Sequence, residues 1–239
     1  MKSLNILFLG SPVNYSQQVK KDLIKANFNL IEDPTKANLI ITACHGQIIP
    51  QETLDLPQYG ALNIHPSLLP KYRGAAPVPW TLLNQEKTTG VTIIKMTDKV
   101  DAGPILAQEK IKINSKDTAD DLLHQLFQLG TKLLIKVLPK YIDHIFTPID
   151  QPLKSPTPYA RKLTKADGFI TWEQFKQAST NNFSSLDHQV RALYPWPGVW
   201  TKMADEKVLK LLPNQLLQLE GKQPINLKQF RNGYQHLLK

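Results

Sequence analysis

The sequence predicts an α/β protein with a mostly parallel sheet, followed by a smaller β-rich part. Near the N-terminus, short apolar runs alternate with a helical pattern, as they do in βαβ units. Prolines become frequent at about residue 147, and short β-like runs follow them. We therefore expect a larger domain over residues 1–147, a basic, Pro-rich linker over residues 148–165 and a small domain over residues 166–239.

The N-terminal elements follow the order of a βαβ unit. Residues 5–9 form a short apolar run that ends at a Gly-Ser-Pro turn, and residues 38–43 and 60–65 form similar runs. Between the first two runs, residues 17–26 space their apolar side chains for one face of a helix. The pattern thus predicts three buried strands, with a helix after the first.

A loop, a hairpin and a long helix are predicted next. The prolines between positions 66 and 79 forbid a regular strand there and favour a rigid loop. The β-like runs at 91–96 and 105–113 predict a hairpin with a wide, polar tip. Leucines spaced along residues 118–141 predict a helix that buries one stripe against the sheet.

The C-terminal part carries short elements. Residues 169–172 predict a strand and residues 184–193 predict a helix. Three β-like runs follow, at positions 199–203, 207–212 and 216–219. This part is β-rich but too short for a full-sized barrel.

The chain is basic, with 29 Lys and Arg residues against 20 Asp and Glu and a formal net charge of +9. An excess of positive charge favours a polyanionic partner, either a nucleic acid or a phosphate-rich ligand. Residues 148–165 hold four basic side chains and one acidic side chain, a denser positive charge than either flank has. This segment is either a solvated linker or a basic strip for a phosphate backbone.

Several classes of protein are disfavoured. Cys44 is the single cysteine, which excludes an internal disulfide and a cysteine-based zinc site. The six histidines are scattered, so no metal is expected. No run approaches the ~20 apolar residues of a membrane-spanning helix, and the N-terminus does not fit a signal peptide. We expect a cytoplasmic protein that does not engage a membrane.

Three polar side chains suggest a reaction. Asn63 and His65 lie two apart on a predicted strand, so they project from the same face at its carboxyl end. An Asn amide can donate to a developing oxyanion, and a His can move a proton near neutral pH. Asp101, in the hairpin tip, could orient His65. Each of the three also has an ordinary structural interpretation, in a strand end or a turn. With no nucleophile among them, the set suits direct transfer of an activated group to an amine.

Longer motifs surround these residues. The chain reads N-x-H-x-S-L-L-P-x-Y-R-G-A-A-P from position 63, G-V-T-I from position 90 and D-A-G-P-I-L from position 101. Together these motifs resemble the formyltransferase family that uses 10-formyltetrahydrofolate. Y-A-x-K-L-T-K-x-D-G-x-I-x-W from position 159 and P-W-P from position 195 resemble the branch that acts on methionyl-tRNA.

The resemblance implies a Rossmann-like formyltransferase core and a reduced, OB-like C-terminal domain. It implies that the α-amine of initiator Met-tRNA attacks the formyl carbon of 10-formyltetrahydrofolate, without a metal, and that Asn63, His65 and Asp101 are catalytic. It places the folate co-substrate against His45, Gly46, Gln47, Ile48, Pro50, Ser67, Leu68, Leu69, Pro70 and Met96. It places the tRNA against Arg73, Lys154, Arg161, Lys162 and Lys165. A monomer is expected.

The chain departs from the family pattern in two regions. The segment between positions 10 and 38 and the C-terminal domain are both shorter than in ordinary members, which implies a trimmed tRNA-recognition apparatus. Two alternatives therefore stay open. One is a formyltransferase that acts on an amino-sugar nucleotide. The other is a folate- or RNA-binding protein without turnover.

Overall fold

The computed structural model describes residues 4–145, 147–180 and 183–238. The described residues fall into two compact units. The first comprises residues of Met1–Pro77, Lys87–Ile113 and Leu123–Arg161, and the second comprises those of Val78–Glu86, Asn114–Leu122 and Lys162–Lys239.

The first unit contains a six-stranded sheet with the order β2-β1-β3-β4-β5-β6. Its strands are β1 (Asn5–Gly10), β2 (Asn29–Ile31), β3 (Leu39–Ala43), β4 (Ala61–His65), β5 (Thr88–Lys95) and β6 (Ile105–Lys112). Strands β1 to β4 pair in parallel, while β5 pairs antiparallel with both β4 and β6. The predicted mostly parallel, Rossmann-like sheet is confirmed, and β2 is a short strand that the sequence did not predict.

Seven helices lie in the described residues. They are α1 (Asn14–Lys25), α2 (Gln51–Leu54), α3 (Pro77–Leu83), α4 (Ala119–Ile142), α5 (Trp172–Thr180), α6 (Asp187–Leu193) and α7 (Leu227–Leu238). Three of them, α1, α4 and α6, occupy predicted positions. None of the helices in the described part of the chain combines the length and the apolar character needed to span a bilayer.

The strand predicted at residues 169–172 is wrong. Phe169 makes one isolated bridge to Trp200, and helix α5 begins at Trp172. The cause is a capping box: the Gln174 backbone N–H donates to Thr171 Oγ1 at 3.1 Å, and the Thr171 N–H donates to Gln174 Oε1 at 2.8 Å. These two bonds satisfy backbone donors that a strand would present to a neighbour.

The second unit contains a four-stranded antiparallel sheet with the order β10-β9-β8-β7. Its strands are β7 (Val199–Lys202), β8 (Val208–Leu212), β9 (Leu216–Leu219) and β10 (Ile225–Asn226). Leu209, Leu211, Leu217 and Leu219 alternate with more exposed residues, so one face of this sheet is buried. The predicted β-rich C-terminal part is confirmed.

Candidate active site

Strand β4 carries two of the three predicted catalytic residues to the carboxyl end of the parallel strands. In the ladder, Asn63 lies beside Thr42 of β3, and His65 lies beside Thr92 of β5. The alternation of side chains along a strand turns Asn63 and His65 toward the same face. Open α/β sheets bind their ligands at this end.

Asp101 reaches the same place from the loop between β5 and β6. Its backbone has a φ of +50°, in the left-handed region that a non-glycine residue rarely adopts. Two residues later, a Cβ added at Gly103 would lie 1.8 Å from the Lys95 carbonyl oxygen, so only glycine fits. The loop therefore packs directly against the end of β5.

The structure brings Asn63, His65 and Asp101 together. Asp101 Oδ1 lies 3.5 Å from His65 Nδ1 and 3.5 Å from Asn63 Nδ2. The other carboxylate oxygen, Oδ2, accepts a hydrogen bond from the Gly74 N–H at 2.9 Å. The Asp101 carboxylate is thus the common partner of an imidazole, an amide and a backbone donor.

Further contacts orient the amide and the imidazole. Thr42 Oγ1 donates to Asn63 Oδ1 at 2.8 Å, which leaves the Asn63 NH₂ group facing Asp101. His65 is only 3% exposed, and its Nε2 lies 3.1 Å from the Tyr72 carbonyl oxygen. Both ring nitrogens of His65 therefore face oxygen atoms. Sequence reasoning missed Thr42, which precedes the start of the motif by 21 residues.

The loop after β4 is held by side chains from β5 and β6. Thr92 Oγ1 donates to the Ser67 carbonyl at 2.6 Å and accepts from the Leu69 N–H at 3.1 Å. Gln108 Nε2 donates to the Leu69 carbonyl at 2.7 Å. Ser67 itself is buried, and its hydroxyl donates to the Lys71 carbonyl at 2.8 Å. The Ser67 hydroxyl is therefore used within the loop, while Leu68 and Pro70 are half-buried.

Residues 149–160, which we call the strap, bond to this same loop. Ser155 Oγ donates to the Pro70 carbonyl and Thr157 Oγ1 accepts from the Tyr72 N–H, each at 2.7 Å. The Ala160 N–H donates to the Arg73 carbonyl at 2.7 Å. The strap lies in the segment predicted as a linker, and these bonds fix its course along the site.

Tyr159, on the strap, is a residue that sequence analysis did not assign to the site. Its ring lies against Gly74, where an added Cβ would approach Tyr159 Cζ to 2.9 Å. Burial, and then the negative charge of Asp101, raise the pKa of the Tyr159 hydroxyl. Tyr159 therefore stays protonated at neutral pH and can donate a hydrogen bond beside the carboxylate.

The predicted folate residues 45–50 follow the carboxyl end of β3. Gly46, Gln47 and Pro50 are exposed, and Ile48 is 86% exposed although it is apolar. His45 Nδ1 is buried and has no hydrogen-bond partner in the described residues. A buried polar atom without a partner is a position that a polar ligand atom could complete.

Two sulfur-containing residues border this region. Met96 is half-buried, and its Sδ lies 3.4 Å from Thr42 Oγ1. Burial raises the pKa of the Cys44 thiol to about 12, so the thiol is neutral and unreactive at physiological pH. No group of three or more potential metal-binding side chains occurs among the described residues.

The five predicted tRNA residues divide into one buried and four exposed side chains. Arg73 is 9% exposed, and its guanidinium donates to Gln151 and to backbone carbonyls, so we do not retain it as a surface contact. The exposed residues are Lys154, Arg161, Lys162 and Lys165. Lys165 Nζ lies 5.2 Å from the centre of the Trp200 ring, a cation–π contact.

Comparison with protein families identifies two matching segments. Residues 13–138 match the formyl transferase model, and residues 162–216 match the model of the formyl transferase C-terminal domain. The first match alone covers more than half of the chain.

The sequence is also similar to those of individual known proteins, in agreement with the family matches. The chain is 37% identical to the methionyl-tRNA formyltransferase of Thermodesulfovibrio yellowstonii over 209 residues, which are 87% of this chain and 63% of that protein. The first three curated relatives are covered over 63%, 56% and 50% of their own length. The chain therefore spans little more than half the length of these relatives.

Solved structures share the fold at lower identity. HypX from Aquifex aeolicus, in complex with tetrahydrofolic acid, superposes with a TM-score of 0.72 at 21% identity, over 88% of this chain and 38% of that one. A sugar N-formyltransferase from a Shewanella species gives a TM-score of 0.67 at 18% identity, over 92% of this chain and 99% of that one.

Proposed function

Since the chain belongs to the formyl transferase family, we propose that it transfers a formyl group from 10-formyltetrahydrofolate to the α-amino group of initiator methionyl-tRNA. One observation carries this proposal. Asn63, His65 and Asp101 converge at the carboxyl end of β4, with Asp101 Oδ1 at 3.5 Å from a nitrogen of each partner.

The proposed step is an attack by the amine on an activated carbonyl. The amine nitrogen bonds to the formyl carbon, and the bond from that carbon to the folate nitrogen then breaks. The amine loses one proton and the folate nitrogen gains one, so the step is balanced. Between the two events the formyl oxygen carries negative charge, which needs hydrogen-bond donors in place beforehand.

The three residues meet these needs. Asn63 Nδ2 and the His65 ring donate to the oxyanion, and Asp101 keeps His65 oriented and helps to relay the amine proton. The 3.5 Å distances are at the outer limit of a hydrogen bond. Catalytic hydrogen bonds are often this long before substrate binds and tighten only in the complex, so these distances are compatible with the proposed roles.

The folate co-substrate supplies the activated formyl group. The residues we propose to hold it follow strands β3, β4 and β5 in the chain: His45, Gly46, Gln47, Ile48, Pro50, Ser67, Leu68, Leu69, Pro70 and Met96. The unpaired buried His45 Nδ1 supports a polar ligand atom at this place. The complex of HypX with tetrahydrofolic acid supports folate as the class of ligand.

The residues that we propose to contact tRNA are Lys154, Arg161, Lys162 and Lys165. All four side chains are exposed, and the chain as a whole carries a net charge of +9.

The two family matches leave residues 139–161 between them, which supports a division into residues 1–147, a linker over 148–165 and residues 166–239. We also propose that the protein acts as a monomer in the cytoplasm.

An acceptor comparison tests the proposed function. The purified protein is incubated with 10-formyltetrahydrofolate and either initiator Met-tRNA, elongator Met-tRNA or a nucleotide-linked amino sugar. We expect formyl-methionyl-tRNA from the initiator substrate and no formylated sugar. Transfer to the amino sugar alone would establish the alternative acceptor, and tight folate binding without any transfer would establish a binding protein.

A further inference from the structure

Gln151, on the strap, joins three parts of the active site through one side chain. Its Nε2 donates to the Asp101 carbonyl at 3.0 Å and to the Gly103 carbonyl at 2.7 Å. Its Oε1 accepts from Arg73 Nε at 3.1 Å and from Arg73 Nη2 at 2.9 Å. Two donors and two acceptor positions are the full capacity of a Gln amide, so this side chain is completely used.

Arg73 fixes the other side of Gln151. Beyond its two bonds to the amide, the guanidinium donates to the Pro152 carbonyl at 2.8 Å and to the Leu153 carbonyl at 3.2 Å. Arg73 is buried, so its planar fork is held in one orientation. Because the guanidinium is fixed, its two bonds hold the Gln151 side-chain amide in one orientation.

The contacts close into a ring around Asp101. The residue after Arg73, Gly74, donates its N–H to Asp101 Oδ2 at 2.9 Å. The Asp101 carbonyl in turn accepts from the Gln151 amide, and the Gln151 amide accepts from the Arg73 guanidinium. Both the backbone and the carboxylate of Asp101 are therefore tied to the segment that carries Arg73.

This ring matters because the direction of the Asp101 carboxylate depends on where its loop lies. Asp101 has a φ of +50°, and its carboxylate lies at 3.5 Å from His65 and from Asn63, at the outer limit of a hydrogen bond. The bond from the Gly74 N–H and the backbone of the loop therefore set the direction of the carboxylate. Gln151 is the side chain that bonds to that backbone on both sides of Ala102.

We propose that Gln151 is a positioning residue for formyl transfer, which holds the Asp101 loop against Arg73 and thereby aims the Asp101 carboxylate at His65 and Asn63. This inference rests on the proposed function. Gln151 does not act on substrate itself; it acts through Asp101.

Two substitutions separate positioning from folding. Gln151→Glu keeps the acceptor for Arg73 but removes both donors to the loop, whereas Gln151→Leu removes every bond. For both variants kcat should fall about 10- to 100-fold, because misplacement of a catalytic group by about 1 Å has effects of this size. The KM values for folate and Met-tRNA should change little. Gln151→Glu should lower the Tm less than Gln151→Leu does, since Arg73 retains its partner only in the former.

The matched control is Leu153→Ala, on the same strap. The Leu153 side chain is 93% exposed, and the substitution preserves the carbonyl that accepts from Arg73. This variant should keep the wild-type kcat. A Gln151→Glu protein with wild-type kcat would overturn the inference, and so would a loss that follows only the unfolded fraction.

A second readout does not depend on turnover, so it separates this inference from the proposed function. In protein labelled with ¹⁵N-histidine, two-dimensional NMR follows the ring nitrogens of His65. Gln151→Glu should move the Nδ1 resonance because Asp101 Oδ1 shifts away from it. Unchanged resonances would overturn the inference even if wild-type turnover is normal. If the wild type transfers no formyl group, the proposed function fails and the resonance shift still decides the role of Gln151.

Discussion

Gly103 determines where the Asp101 loop can lie. A Cβ at this position would come within 1.8 Å of the Lys95 carbonyl oxygen, a backbone atom that cannot rotate away. Gly103→Ala should therefore shift the loop and destabilise the fold by about 1 to 3 kcal/mol, as overpacked sites do. Urea unfolding measures this change.

The control for this prediction is Gly233→Ala, in helix α7. A Cβ added at Gly233 meets no heavy atom within 4 Å. Gly233 is exposed and directly precedes a break in the helical backbone at Tyr234, so no gain from helix propensity is expected and this variant should stay within about 0.5 kcal/mol of the wild type. Equal unfolding midpoints for the two variants would contradict the proposed close approach at Gly103.

Cys44 gives a second prediction at the scale of single residues. Burial raises the pKa of its thiol to about 12. At pH 8 the thiolate fraction should then be about a thousandfold below that of an exposed thiol, and the thiolate is the reactive form. Alkylation by iodoacetamide should be correspondingly slow in the native protein and fast in urea. Rapid alkylation of the native protein would show that the thiol is not buried.

Single residues show which parts of the site were predictable. The spacing of Asn63 and His65 indicated that both would lie on one face of a strand, and the structure confirms their proximity to Asp101. The contacts of Gln151 and the burial of Arg73 could not be predicted. They depend on hydrogen bonds between positions 48 to 80 residues apart, which leave no local pattern in the sequence.

At the scale of elements, long periodic segments were predictable and short capped ones were not. The pattern over residues 118–141 predicted α4, which the structure places at Ala119–Ile142. Helices α5 and α7 were not predicted, because each begins at a short polar capping motif. For α7, the Gln229 N–H donates to Asn226 Oδ1 at 2.9 Å, a cap that resembles an ordinary turn in the sequence.

The basic residues at the strap and after it lead to a prediction about binding. The double substitution Lys154→Gln with Lys165→Gln should weaken Met-tRNA binding and reduce the salt dependence of its affinity. Each lost phosphate contact should lower the slope of log affinity against log salt concentration by about 0.7 to 0.9. Filter binding at several salt concentrations measures the slope.

The matched control removes the same charge from helix α1. Lys20 and Lys21 are exposed there. The double variant Lys20→Gln with Lys21→Gln leaves the proposed tRNA-contacting residues unchanged. Its slope of log affinity against log salt concentration should therefore stay near that of the wild type. Equal slopes for the two double variants would mean that net charge alone determines the salt dependence of tRNA affinity. Lys154 and Lys165 would then no longer be proposed as tRNA contacts.

At the scale of the whole molecule, the two kinds of sheet follow from two kinds of pattern. Nearly continuous apolar runs such as residues 38–43 are typical of parallel strands that are buried on both faces, and β3 is fully buried. Alternating runs such as Lys207–Leu212 are typical of strands with one solvated face, as in β8. Sequence alone could not predict the two compact units, because each is assembled from segments far apart in the chain.

The measurement that tests the central proposal most directly is a single-turnover assay. Wild-type protein, Asp101→Asn and Asp98→Asn are each mixed in excess over initiator Met-tRNA with 10-formyltetrahydrofolate, and formyl-methionyl-tRNA is quantified over time. Asp98, an exposed carboxylate on the same loop, is the matched control. We predict equal rates for the wild type and Asp98→Asn, and a rate lower by about 10² to 10⁴ for Asp101→Asn. Equal rates for Asp101→Asn and the wild type would contradict the assignment of this site to formyl transfer.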